Sequence, residues 1–280
     1  MPSTIETQIR QRKSIRSYDS RPLTEKDKNL LLSEIEHILQ EETPFPARIH
    51  IQLLEAREGT DTEKLGTYGV IRGASSFLGV TVENSETAPE AVGYTFEKVV
   101  LKATEMGLGT CWMAGTFNKD QFKRLLLVKE DEIFPIISPL GYPQERLNLV
   151  DKVFRKVGKS DQRKDWNELF FKDSFEQPLS REEAGEYVFA LDMLRLAPSA
   201  ANKQPWRIVY KDNVFHFFRV ANPSSNYPFD LQRLDAGIAA CHFHLAAKEK
   251  ELKGIFVYQE DKEILLPENT KYIFSWKEEI

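Results

Sequence analysis

The chain has 280 residues, 41% hydrophobic and 29% charged, enough for one large packed domain or two of ordinary size, and a packed soluble protein is the default class. Its net charge of −5 argues against nucleic acid as the main partner, because neutralising phosphates needs a net basic face. The two cysteines, Cys111 and Cys241, have no second Cys or His at zinc-ligand spacing, which suits a reducing cytoplasm and predicts no metal site.

Met1 to Lys13 holds no apolar core of the kind a signal peptide needs, and no stretch approaches the ~20 apolar residues that span a bilayer. Ser3 to Arg12 reads as a short amphipathic helix, with Ile5 and Ile9 four apart. Arg12-Lys13-Ser14-Ile15-Arg16 follows, placing two guanidinium forks, an ammonium and a hydroxyl within five positions. Such a cluster suits an anion and equally suits a solvated basic turn; the residues alone leave both open. Thr24 then caps a helix to Gln40, with Asp27 three residues on in a variant of the capping box. Leu30, Leu31, Ile35, Ile38 and Leu39 form its expected buried stripe.

Pro44 and Pro46 close that helix, after which Arg48 to Ala56 and Ser76 to Glu83 read as strands. Pro89 to Gly107 has the apolar spacing of a long helix, through Val92, Phe96, Val99, Val100, Ala103 and Met106. Gly107-Leu108-Gly109-Thr110 puts glycines where a left-handed cap ends it. A short helix from Asn118 and the apolar run Ile133 to Leu140 follow, closed by Gly141-Tyr142-Pro143. Residues 146–164 form a basic connector whose last members, Arg163 and Lys164, precede the anchoring Trp166 and Phe170.

The remainder echoes the beginning. Ser174 to Ser180 resembles Ser17 to Thr24 with one residue fewer. A helix over Arg181 to Leu196 carries Tyr187, Val188, Leu191, Leu194 and Leu196 at helical spacing and is stopped by Pro198. From Ala197 to Trp206, small residues allow a planar ligand to approach the backbone, and Ser199 and Asn202 offer hydrogen bonds; a plain helix end and turn is the alternative. Strands at Arg207 to Tyr210 and Val214 to Val220 lead to a long helix over Asp230 to Leu252. In it His242 and His244, two apart, point to different sides and read as ordinary helix residues.

Arg12-x-Ser14-x-Arg16-x-Tyr18, Gly107-Leu108-Gly109-Thr110-x-Trp112 and Ala197-Pro198-Ser199-x-x-Asn202-x-Gln204-Pro205-Trp206 together resemble the three signatures of the FMN-dependent nitroreductase family. The resemblance covers nearly the whole chain and is weakest through the connector and after Lys262. In that family a half-length chain carries each signature once, and two chains intertwine with FMN at each interface. Its order there is basic motif, Pro-Ser-x-x-Asn motif, Gly-Leu-Gly-Thr motif. Here the first half holds the first and third, and the second half holds the middle one.

The resemblance therefore implies an α+β, nitroreductase-like fold in which two half-repeats, 1–165 and a degenerate 166–280, form an intrachain pseudo-dimer and one FMN-binding unit. Aligned on Tyr18 with Phe175, the basic motif faces Leu169, Phe171 and Asp173, which would repel a second phosphate. One FMN per chain and a monomer are expected. By the same resemblance Arg12, Lys13 and Ser14 hold the FMN phosphate, joined by position by Arg163 and Lys164, while Arg16 lies near the pyrimidine edge of the ring. Pro198, Ser199 and Asn202 meet the ring and ribityl chain, the backbone of Ala114 and Gly115 approaches the reactive nitrogen, and Trp112 and Trp206 are packing.

The implied reaction is ping-pong hydride transfer from NADH or NADPH through FMN to a nitroaromatic, quinone or related electrophile, in the cytoplasm, with no catalytic side chain assigned. The expected partner is a small-molecule electron acceptor, with no nucleic acid and no membrane. A flavin-binding or sensory module with little or no turnover is the alternative.

Overall fold

The computed structural model describes residues 3–56, 65–144, 162–221 and 229–279, so the basic connector before residue 162 lies outside the described residues. Helix α1 (Ile5–Gln11) starts where the Thr4 hydroxyl accepts from Thr7 N, and it buries Ile9. Helix α2 (Glu25–Gln40) is capped as expected by Thr24, which accepts from Asp27 N, and it buries Leu31, Ile35 and Ile38. Leu30 and Leu39 are exposed, at 43% and 36%. Each lies next in sequence to a buried residue, about 100° further round the helix, so the buried stripe is narrower than its run of apolar residues.

Strands β1 (Ile49–Glu55), β2 (Ser76–Glu83), β3 (Gly109–Thr110) and β4 (Glu132–Gly141) form an antiparallel sheet of order β1-β2-β4-β3. Helix α3 (Ala88–Glu105) links β2 to β3, and α4 (Lys119–Leu125), capped by Asn118, precedes β4. The later part contributes α5 (Trp166–Leu169), β5 (Phe170–Lys172), α6 (Arg181–Ala184), α7 (Val188–Arg195), β6 (Trp206–Lys211), β7 (Val214–Val220), α8 (Leu231–Glu249), β8 (Gly254–Val257) and β9 (Thr270–Glu278).

The second sheet has order β5-β6-β7-β9-β8. Apart from β5, which runs parallel to β6, its order and antiparallel pairing repeat those of the first sheet. Both central pairs carry a bulge, between Val80 and Val82 in one and between Phe217 and Phe218 in the other. The short strands β3, β5 and β8 hold too few residues to show alternation. In β9 the bulge skips Ile273, placing it beside the buried Phe274 and breaking the period of two.

Two expectations are corrected. The single helix over Arg181 to Leu196 is broken into α6 and α7 by a 3₁₀ turn, because Gly185 adopts φ 54°, ψ −129°, a conformation open mainly to glycine. Leu169, Phe171 and Asp173 are not the structural counterparts of Arg12, Ser14 and Arg16. Residues 170–172 form β5 beside β6, whereas Ser14 bridges Thr110 of β3, at the opposite edge of its own sheet. These residues are therefore no record of a lost phosphate site.

The two sheets share one core because α3 and α8 pack backbone against backbone. A Cβ on Gly93 would collide with the carbonyl oxygen of Leu234, and one on Gly237 with that of Glu90. At one end of this crossing Arg233 donates to both oxygens of the buried Glu90, at 2.5 and 2.9 Å. Beyond it the fully buried His242 donates from Nδ1 to the Met193 carbonyl at 3.0 Å and sets Nε2 2.9 Å from Glu97 Oε1. His242 is thus a polar link between the two helices, while His244 meets the Tyr94 hydroxyl at 2.7 Å. Cys111 and Cys241 are buried and free, and no helix among the described residues is long and apolar enough to cross a membrane.

The crossing yields a stability prediction. Gly93→Ala must separate two backbones, so it should destabilise the fold by about 1–3 kcal/mol. Urea unfolding of the variant against the parent measures this.

Candidate functional site

One wall of the site is laid down by glycines. Gly107 at φ 75° closes α3, with Leu108 N donating to Ala103 O at 2.8 Å. Gly109 has no room for a side chain, since a Cβ there would lie 2.9 Å from Ile15 Cβ. The absence of that atom lets Ile15 N donate to Thr110 O at 2.8 Å, which sets Arg12 to Arg16 along β3. The Tyr18 hydroxyl donates back to Ile15 O at 2.8 Å and holds the segment from its far end.

The other wall is a strained loop. Ala201, Asn202 and Gln204 have φ of 52°, 53° and 47°, the left-handed region that costs non-glycine residues roughly 1–3 kcal/mol each and persists only where the surroundings over-determine it. Here the surroundings do so. Ser199 Oγ accepts from Gln204 N at 2.8 Å, and Ala200 N donates to Asp235 of α8, shared between its two oxygens at 3.1 Å each. From residues 163 and 164, Arg163 Nη2 donates to Leu196 O at 3.2 Å and Nη1 to Asn202 Oδ1 at 3.4 Å, while Lys164 N donates to Gln204 Oε1 at 2.8 Å.

Between these walls lies a cavity of about 700 Å³, within the range of small-molecule and cofactor sites. Arg12, Lys13, Ser14, Arg16, Ala114, Gly115, Arg163, Pro198, Ser199 and Asn202 all line it. The cationic groups enter mainly from the first half, and Leu231, Leu234 and Ile238 supply an apolar face from α8. Lys164 is not on the wall. Its backbone serves the strained loop, and partial burial together with the nearby Arg207 lowers the affinity of its ammonium for a proton. Trp206 is fully buried away from the cavity, as packing requires. Trp112 does line the cavity, and its Nε1 donates to Glu97 Oε2 at 2.8 Å.

Arg12 is only 9% exposed. Its Nε lies 3.8 Å from Glu97 Oε1 and makes no hydrogen bond among the described residues. A buried guanidinium held by charge alone is suited to an anionic ligand. Gly115 is exposed, with nothing within 4 Å of where its Cβ would stand, so a flat ligand can reach the backbone there.

Two further cavity residues escape sequence reading. Arg10 shares α1 with an ordinary surface pair, 2.8 Å from Glu6. Asp235 is 4% exposed, and burial pushes its carboxyl well above the usual carboxylate range. The available signal was an acid set within the apolar stripe of Leu231, Leu234 and Ile238.

Residues 4–247 match the protein-family model described as "Putative TM nitroreductase". Among solved structures, a "putative nitroreductase" of Thermotoga maritima is 20% identical, with a TM-score of 0.61 over 99% of this chain and 94% of that one. That likeness shows a shared nitroreductase fold. A "nitroreductase family protein" of Clostridium novyi NT, also 20% identical, matches over 54% of this chain and 92% of its own, with a TM-score of 0.42. A "putative nitroreductase in complex with FMN" from Desulfovibrio desulfuricans, 20% identical, matches over 54% and 96%, with a TM-score of 0.41. No curated protein matches the sequence.

The strained loop gives its own test. Ala201→Gly relieves a left-handed alanine at the expense of a more flexible unfolded chain, and should raise stability by about 0.5–1 kcal/mol. A shift of the urea midpoint to higher concentration at unchanged slope is the expected result.

Proposed function

The chain belongs to the family described as "Putative TM nitroreductase", and from that premise we propose that it is an FMN-dependent oxidoreductase that uses NAD(P)H to reduce nitroaromatic, quinone or related electrophilic small molecules. The observation that carries this reading is convergence: three motifs far apart in the chain, around Arg12, Trp112 and Asn202, meet on one cavity. The residues present fit FMN. Arg12, Lys13 and Ser14 would hold its phosphate, and Arg163 would join them while bracing the loop through Leu196 O and Asn202 Oδ1.

FMN, when bound, supplies the hydride chemistry. The chain's own residues bind, orient and exclude water. Arg16 would place positive charge at the pyrimidine edge, and the open backbone at Ala114 and Gly115 would offer an N–H to the ring. Pro198, Ser199 and Asn202 would form the facing wall. In the same reading, segments 1–165 and 166–280 act as the halves of an internal pseudo-dimer, each supplying one wall of a single site, and the chain works as a cytoplasmic monomer.

Because each motif occurs once, the purified protein should hold one FMN per chain, measured by absorbance against protein concentration. NADH or NADPH should bleach that flavin and menadione or nitrofurazone should restore it. Bound FMN that neither nucleotide reduces would instead indicate a binding or sensory module. Arg12→Ala should weaken FMN retention by about 1–3 kcal/mol, the scale of a hydrogen bond to a charged group; equilibrium dialysis of FMN checks it.

A further inference from the structure

We propose that Asp235 is the acid of this site: its carboxyl group donates a hydrogen bond, and then a proton, to the oxygen of a quinone or nitroaromatic bound in the cavity. The inference rests on the flavin oxidoreductase reading above and adds a side chain to a reaction otherwise carried by the cofactor.

The geometry comes first. Asp235 lies in the second turn of α8, lines the cavity and is 4% exposed. Its one hydrogen-bond donor among the described residues is Ala200 N, shared by both oxygens at 3.1 Å, and no cation there forms an ion pair with it. Beside it on the cavity wall are Leu231, Leu234 and Ile238. An ionised carboxylate so placed would be poorly compensated. Burial raises its pKa well above the ordinary carboxylate value, and Asp230 acts in the same direction. The Ala200 N–H and the more distant Lys203 oppose the shift without cancelling it.

The cavity's other charges are Arg10, Arg12, Lys13, Arg16 and Arg163. In the proposed reading Arg12, Lys13, Arg16 and Arg163 face the phosphate and the ring of the cofactor, and Arg10 pairs with Glu6. With no cation among the described residues paired to it, buried Asp235 favours the protonated form. Ala200 N–H uses acceptor capacity only, which leaves the O–H of a protonated Asp235 to donate, and the residue lines the cavity.

The class of ligand follows. A planar conjugated acceptor suits the apolar face, and its oxygen gains electron density as it is reduced, which is where an acid in a low-dielectric wall is most effective. For a quinone, the hydride would be the chemistry the bound cofactor supplies, with NAD(P)H as its source, and Asp235 supplies the proton. The Asp235 O–H bond breaks, an acceptor O–H bond forms, the quinone becomes the hydroquinone, and solvent returns the proton to the carboxylate. A nitro group takes a hydride and a proton in the same way to give the nitroso compound and water.

Asp235→Asn separates proton transfer from binding, because the amide still accepts from Ala200 N and still offers an N–H donor. The variant should keep its FMN and be reduced by NADH or NADPH as the parent is, while kcat with menadione and with nitrofurazone falls about a hundredfold and KM changes little. Independently of turnover, the infrared difference spectrum of the flavin-free parent minus Asp235→Asn at neutral pH should contain a protonated-carboxyl band that shifts in D2O; taking the difference cancels the contribution of buried Glu90, whose pKa is raised to about 7. An unchanged kcat in a variant that binds FMN and is reduced would overturn the role of Asp235 alone, as would absence of the infrared band. Loss of FMN from Asp235→Asn would make Asp235 a latch for the loop and also overturn the proposal. A parent protein that binds no FMN would overturn the flavin reading and this inference together.

Discussion

The contact of α3 with α8 at Gly93 and Gly237 is the constraint on which the rest of the molecule depends. Two helices whose backbones touch cannot slide or separate without opening the core they share. Helix α3 lies between strands of the first sheet and α8 between strands of the second, so this contact ties the two sheets together. It also sets Glu97 against His242 and Glu90 against Arg233 across the same crossing. Buried polar pairs of this kind add little net stability, but a misplaced partner would be left without its hydrogen bond.

The site inherits its shape from that crossing. Glu97 on α3 holds Trp112 by a hydrogen bond and Arg12 by charge, and so ties the cationic wall to the helix. Asp235 on α8 holds Ala200 and so ties the strained loop to the facing helix. The distance between the walls is therefore decided by helix packing rather than by the loops. This is the arrangement a site needs when its ligand is large and flat and when small displacements are costly.

The electrostatics of the two walls differ for a physical reason. Arg12, Lys13 and Arg16 lie on a segment that enters the cavity between a helix end and an edge strand, where their guanidinium and ammonium groups line it. Asp235 lies on α8 among apolar neighbours, where burial favours the protonated carboxyl. The cavity thus carries guanidinium and ammonium groups on one side and a buried carboxyl with a raised pKa on the other. Fold membership alone does not dictate that division, because function resides in the placement of a few side chains on a shared scaffold.

Much of the local structure was legible in the sequence. The Thr24 and Asn118 caps, strands β2 and β7, the left-handed Gly107 and the run of small residues before Trp206 depend on interactions within a few positions, and such interactions are written in the order of residues. The motifs around Arg12, Trp112 and Asn202 likewise carried the family and most of the cavity wall. What the sequence could not determine was set by distant partners. Whether Lys164 faced a ligand or the loop, whether residues 169–173 matched 12–16, and whether Asp235 was surface or site depended on which helix face and which sheet edge met what. A helix presents all its faces until something packs on it, and a strand has two edges until one is paired; only the closed α3–α8 contact and the two assembled sheets removed those freedoms.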